Sequence, residues 1–239
     1  MIRKALGVAV LSASVLVSAV AAQAATGPEE GHDPALADKI RRTRDIIQDF
    51  SGSTNGIPHE ILKDAKAIVI ISNAIRVGFV FAGEHGRGVA VYKNDAGEWG
   101  TPAFFRMTNI SFGFQAGGEV DDVILVLKTE RALEGLLSHA FTIGMDFTAT
   151  AGPLGREAKA ATNINQAEVY VYGRNHGFFA GFSLDGAVIH EDMEANSRYY
   201  GEHLTARQIL LENAGYQTKP GTELAESLRT ATGGAQPAH

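Results

Sequence analysis

Within residues 65–129 the runs AKAIVIIS, VGFVFAGE, GRGVAVYK, PAFFRMTNISFGFQAGG and DVILVLK follow one another with little but glycine, asparagine and aspartate between them. No other feature limits the fold so tightly. The segments Ile68-Val69-Ile70-Ile71, Val89-Ala90-Val91-Tyr92 and Val123-Ile124-Leu125-Val126-Leu127 are short, rich in β-branched residues and bounded by turn formers, which predicts strands. Asn94-Asp95-Ala96-Gly97 suits a hairpin connection, and the strands follow too closely for crossover helices. Pairing is therefore expected to be antiparallel, with a meander as the economical topology. Ile110, Phe112 and Phe114 alternate with Ser111, Gly113 and Gln115, the pattern of a strand with one apolar face.

The flanks change period. Asp33 suits an N-cap and Pro34 a first helical position, and from there Leu36, Ile40, Ile46, Ile47 and Phe50 recur at helical spacing until the glycines at 52 and 56. At about 100° per residue, Leu36, Ile40, Ile47 and Phe50 share one arc, with Asp38, Asp45 and Asp49 near the opposite pole. Arg42 and Arg44 fall near the edges of the apolar arc and Lys39 falls inside it. Such a helix can pack its stripe on the sheet, or lie in a membrane interface with its long basic side chains reaching headgroups. Further on, a short helical turn is expected after Ile57-Pro58, and a helix at residues 129–140 behind Thr129. A β-hairpin is expected around Asn175-His176-Gly177, then helices near 193–199 and 205–212. A weakly anchored helix at 219–228 and a disordered end complete the reading.

Residues 1–24 open with Arg3 and Lys4, continue through an Ala/Val/Leu/Ser run and end in Ala22-Gln23-Ala24, the small-x-small form of a signal-peptidase site. Cleavage after Ala24 is expected, and with it a periplasmic or secreted location. Removing Arg3 and Lys4 from the 21 basic residues leaves 19 against 27 acids, a net charge of −8. That balance argues against a nucleic-acid partner. With no cysteine there is neither a disulfide framework nor a lipid-attachment thiol, so an ordinary core must stabilise the domain.

Catalytic signatures are weak. The eight histidines show no metal-ligand spacing, and His190-Glu191-Asp192-Met193-Glu194 lacks the second histidine of a zinc-protease helix. Gly181-Phe182-Ser183-Leu184-Asp185-Gly186 is one residue too long for a nucleophile elbow. Gly83, Gly86 and Gly88 suit a hairpin better than a phosphate loop. Gly152, Gly155 and Arg156 form a glycine-rich turn whose amides could hold an anion, or which could be structural only. Asp121, Asp122 and Asp146 suit turn capping or an internal pair with Arg156 or Arg106 better than acid–base work. No metal and no cofactor is expected, and no enzymatic activity.

Several segments together resemble the SYLF domain, a lipid-binding family. They are Ile57-Pro58 with Leu62 and Ala65-Lys66-Ala67-Ile68, Val77-Gly78-Phe79-Val80, Gly86-Arg87-Gly88-Val89-Ala90-Val91, Trp99-Gly100-Thr101-Pro102-Ala103, Gly113-Phe114-Gln115-Ala116-Gly117-Gly118 and Asp122-Val123-Ile124-Leu125-Val126-Leu127. Gly144-Met145-Asp146, Ala151-Gly152-Pro153-Leu154-Gly155-Arg156, Gly177-Phe178-Phe179-Ala180-Gly181-Phe182 and Tyr199-Tyr200-Gly201 continue it in one order, over about residues 36–211. Trp99-Gly100-Thr101-Pro102 stands where the family commonly has tryptophan-serine-x-proline. The resemblance implies binding of anionic lipids, in eukaryotic members notably phosphoinositides, with help from an N-terminal amphipathic helix. It points to Lys39, Arg41, Arg42 and Arg44 as headgroup contacts and to Leu36, Ile40, Ile47 and Phe50 as an inserting stripe. An exported relative would meet phosphatidylglycerol or cardiolipin instead.

The expectation is thus an α+β fold: a strongly curled, mainly antiparallel sheet, with barrel-like closure left open, an N-terminal amphipathic helix and flanking helices. A signal peptide at 1–24 and a flexible leader at 25–35 precede the domain at 36–212, and a partly disordered tail at 213–239 follows it. The expected function is exported, non-enzymatic binding to anionic phospholipid or membrane surfaces of the cell envelope. The alternative is an envelope protein-interaction module with no specific lipid ligand.

Overall fold

Asp33 and Thr129 prove to be where helices begin, and Asn94–Gly97 is where the chain reverses. The computed structural model describes residues 28–52, 56–75, 86–108, 120–138, 141–144, 146–154, 167–175, 178–181 and 187–233. The leader at 1–24 and the alternating run at 110–115 lie outside these. Asp33 caps α1 (Pro34–Gly52), its Oδ1 accepting from the amides of Ala35 at 2.9 Å and Leu36 at 3.3 Å. The short α2 (His59–Lys63) leads into β1 (Ala67–Ile75) and β2 (Gly86–Tyr92). The Asn94–Gly97 turn, with Gly97 at φ 84° and the Asn94 side chain accepting from the Glu98 amide at 2.9 Å, connects β2 to β3 (Ala103–Thr108).

These three strands form the expected meander, but β4 (Val120–Leu127) departs from it. It returns past β2 and β3 to pair with β1 on its other side, giving the order β3-β2-β1-β4 at the centre of the sheet. Burial supplies the reason. Residues 123–127 of β4 and 67–71 of β1 are buried on both faces, at 2% exposure or less, so each needs a strand on both sides and a layer above and below.

Thr129 caps α3 (Glu130–Leu136), its hydroxyl accepting from the Ala132 amide at 3.1 Å; the helix ends earlier than its sequence pattern suggests. The short strands β5 (Phe141–Thr142) and β6 (Ala149–Ala151) follow. The predicted hairpin is formed by β7 (Val169–Asn175) and β8 (Phe178–Gly181), and β9 (Val188–Glu191) pairs with β3 and β5. All pairings between these strands are antiparallel except β6 with β7. The sheet curls strongly into a half-barrel, and the fold is α+β as the sequence predicts.

Helices α4 (Met193–Tyr200), α5 (Ala206–Leu211) and α6 (Lys219–Ala231) complete the chain. Tyr199 of α4 meets Phe104 of β3 edge-on at 5.3 Å. The last helix is not the weakly anchored segment its composition suggests. Leu224, Leu228 and Ala231 join the core, and α6 packs along α1. The spacing i, i+4, i+7 gives α6 a narrow apolar stripe, and α1 is the surface that receives it.

Candidate functional site

Directly paired residues of an antiparallel sheet project from the same face, so register alone assembles a row of polar side chains. Arg174 of β7 faces Asp122 of β4, Asp122 faces Ser72 of β1, and Ser72 faces Arg87 of β2. Arg87 in turn faces Arg106 of β3, which faces His190 of β9. The row crosses six strands at one end of a sheet whose neighbouring positions, such as Ile70, Val89 and Phe104, are apolar and buried.

Helix α1 lies over this row. Lys39 reaches into it, Nζ donating to Ser72 Oγ at 3.2 Å and to the Arg87 carbonyl at 3.4 Å. Burial lowers the Lys39 pKa below the usual lysine value, and the charges of Arg87 and Arg42 add to this while Asp122 opposes it. Asp122 is fully buried and accepts from Arg174 Nε at 2.7 Å and Arg42 Nη2 at 3.2 Å. A second bond from Arg174, Nη1 to Asp49 Oδ2 at 2.6 Å, fastens the same guanidinium to α1. At the other end Asp192 is 4% exposed by side chain, and its Oδ1 caps α4 at Ala195 N, 3.1 Å away. Its Oδ2 lies 3.8 Å from Arg87 Nε and 3.6 Å from Arg106 Nε.

The residues singled out from sequence are thus divided. The four bases of α1 do not form one headgroup surface. Lys39 and Arg42 join the row, whereas Arg41 pairs with Glu30 and Asp38, and Arg44 with Asp45 and Glu223. Leu36, Ile40, Ile47 and Phe50 are at most 5% exposed and belong to the core, so in this conformation α1 packs on the sheet and offers no apolar stripe to a bilayer. The amide of Gly152 donates to the Val171 carbonyl at 3.0 Å, and a Cβ there would sit 2.0 Å from Tyr172 Cζ, so this glycine serves close packing. Gly155 and Arg156 lie outside the described residues.

The acids act as anchors. Asp146 caps a turn through the Thr142 amide at 2.9 Å, and Asp122 forms internal pairs with Arg174 and Arg42, while Arg156 lies outside the described residues. Glu191 accepts from the Asn196 side chain at 3.3 Å, Asp192 caps α4, and His190 Nε2 meets Thr108 Oγ1 at 2.9 Å. Burial pushes the Tyr199 phenol up to about 12 despite its bond to Thr218, and raises Tyr172 and Tyr200 as well, so these stay neutral core groups at physiological pH. Among the described residues no cluster of histidine and carboxylate side chains could hold a metal, and no helix is long and apolar enough to cross a membrane.

Residues 108–231 match the Ysc84 family, described as "Las17-binding protein actin regulator". The chain belongs to this family, the SYLF family of the sequence resemblance. LAS seventeen-binding protein 3 of Saccharomyces cerevisiae is 36% identical over 163 residues, 66% of this chain and 35% of the relative. Protein YSC84 of the same yeast is 35% identical over 186 residues, 74% and 40% of the two chains. SH3 domain-containing YSC84-like protein 1 of Xenopus laevis is 30% identical over 205 residues, 82% and 61%. The chain therefore spans about a third to three-fifths of these relatives' lengths. The SYLF family description and the relatives' names are of binding and regulation.

Sequence reasoning missed Arg87, Arg174 and Ser72 as members of one site, and met Arg106 only as a partner for an acid. A signal was present: Arg87 and Arg106 are single charges inside otherwise apolar strands. Their adjacency is fixed by register, which the one-dimensional pattern does not contain.

Proposed function

We propose that this SYLF-family chain is a non-catalytic binding protein that docks on anionic phospholipid surfaces, and that it does so in the cell envelope after removal of residues 1–24. The observation that carries the reading is charge segregation. In a chain of formal net charge −6, Lys39, Arg42, Arg87, Arg106 and Arg174 gather around Asp122, Asp192 and Asp49, so the described groups of this face have a surplus of positive charge. A local basic face on an acidic protein steers it to an anionic surface in one orientation. Headgroup contact needs no insertion of α1, whose stripe is already occupied by the core.

Flotation of the chain from Ala25 onward with phosphatidylglycerol-containing and pure phosphatidylcholine vesicles, at low and physiological salt, tests this. Binding only to the anionic vesicles, weakened by salt and by changing Lys39, Arg41, Arg42 and Arg44 together to glutamine, is expected. Absence of flotation under every condition would sink the proposal. Removing α1 outright is a poor test, because it would strip Ile40, Ile47 and Phe50 from the core. N-terminal sequencing of the natural protein checks export: a first residue other than Ala25 contradicts the cleavage expected here.

The yeast relative's name, which records binding to LAS seventeen, favours a second reading in which the partner is an envelope protein. Native mass spectrometry of protein taken from its own envelope separates the two. Co-purified phospholipid supports docking on lipid, and a lipid-free complex with one protein supports the alternative.

A further inference from the structure

Arg87 and Arg106 are arranged as a ligand site is arranged rather than as a structural ion pair. Their positions are directly opposite on β2 and β3, which sets their Cβ atoms about 5 Å apart on one face, and like charges so placed destabilise a sheet. The only described carboxylate beside them is Asp192. It approaches each at an Nε, beyond hydrogen-bonding distance, with its other oxygen committed to the cap of α4. Both side chains are substantially exposed, 53% for Arg87 and 39% for Arg106, and neither guanidinium donates a hydrogen bond to a described residue.

Other described arginines are satisfied. Arg131 gives two bonds of 2.8 Å to Glu168 and lies over the Phe147 ring, and Arg174 is held by Asp122 and Asp49. Around the unsatisfied pair the neighbours are further polar groups: Lys39, whose ammonium touches the Arg87 carbonyl, and the hydroxyl of Thr108 against His190. Two planar forks with an ammonium beside them, facing one capping carboxylate among the described residues, match the oxygens of a tetrahedral oxyanion.

We infer that Arg87 and Arg106, with Lys39 at their side, form the seat for a phosphate group, presented either by a phospholipid headgroup or as a free phosphate. The inference deepens the membrane reading and rests on it for the lipid source of that phosphate. The bound phosphate would offset the repulsion between the two guanidiniums and supply acceptors for their unused donors.

The experiment has two arms on the chain from Ala25: a titration with inorganic phosphate against chloride at constant ionic strength, followed by amide chemical shifts, and sedimentation with phosphatidylglycerol or phosphatidylcholine vesicles. Wild type is compared with the double variant R87Q/R106Q and with R87K/R106K, which keeps the charges and loses the forks. Expected are phosphate-dependent shifts at residues 87, 106 and 190, and a phosphate affinity lower by about tenfold or more in R87Q/R106Q. The lysine variant should fall in between and retain the wild-type spectrum elsewhere, showing an intact fold. An equal loss of binding to phosphatidylglycerol vesicles assigns the phosphate to a headgroup. Phosphate binding through the arginines, with vesicle binding unchanged by R87Q/R106Q, assigns the seat to the free ion. A wild type that binds phosphate but no vesicle overturns the membrane reading and keeps the seat. No shift at the two arginines, with both variants binding vesicles like wild type, overturns the seat and leaves the membrane reading standing.

Discussion

Arg174 and Arg106 stand on one face of one sheet, four strands apart, a separation of about 19 Å at the usual strand spacing. Arg174 is 14% exposed and spends its guanidinium on two carboxylates, one of them fully buried. Arg106 is 39% exposed, has another arginine directly opposite, and reaches its only described carboxylate at 3.6 Å. The first arrangement fastens β4, β7 and α1 together. The second leaves donors unspent where solvent can reach them. One residue type is thus a structural clamp at one end of a row and a ligand-facing group at the other, and the difference lies in the number and proximity of acids.

The sharpest way to break this contrast is at the clamp. Asp122→Ala removes the carboxylate that compensates Arg174 and Arg42, leaving a mostly buried guanidinium with Asp49 alone, and should cost about 3–5 kcal/mol by chemical denaturation. A loss under ~1 kcal/mol would mean that the buried pair does not clamp the fold.

Between the two ends sits Lys39. Lys39→Met loses two hydrogen bonds but relieves a cation crowded by two arginines, so a change of about 1 kcal/mol or less is expected at pH 7. The pH dependence is more telling. With its folded-state pKa below that of the unfolded chain, Lys39 binds more protons when unfolded, so its own contribution to stability should rise with pH between the depressed value and about 10.5. Lys93 has a lowered pKa too, so the quantity to read is the difference between wild type and Lys39→Met in urea unfolding across that window. Parallel pH profiles would show that Lys39 is not held against its charge.

Arg41, paired with Glu30 and Asp38 at the surface, calibrates an ordinary ion pair: Arg41→Gln should cost about 0–1 kcal/mol, less at high salt. Smallest of all should be Arg87→Gln, within about 0.5 kcal/mol of wild type or slightly stabilising, since it removes a like-charge neighbour and no hydrogen bond donated by its guanidinium. If Arg87→Gln destabilises as strongly as Asp122→Ala, the two ends are alike and the open end is structural after all.

Much of the framework is legible along the chain. The caps at Asp33 and Thr129, the Asn94–Gly97 reversal and the apolar arc of α1 are local, because each depends on residues within one or two turns of one another. Even Lys39 is anomalous in one dimension, a base inside an apolar arc, and its ammonium is indeed drawn inward to Ser72. The return of β4 to β1 is not legible in this way. A period of two tells which side chains share a face and says nothing of which strand lies alongside. The same limit hid the anchorage of α6, whose stripe of Leu224, Leu228 and Ala231 has meaning only once α1 is beside it.

By itself the sequence determined the kinds of element, most of their ends, the antiparallel character of the sheet and membership of a binding family. Those follow from short-range sterics, capping and periodicity, together with motifs kept in one order. Only the tertiary structure decided that α1 spends its stripe on the core, that Asp122 belongs to Arg174, and that Arg87 and Arg106 meet with Asp192 as the one described carboxylate beside them. Each of these depends on strand register and on the docking of helices far apart in the chain, where burial of both faces of β1 and β4 selects one pairing among many that the local pattern permits.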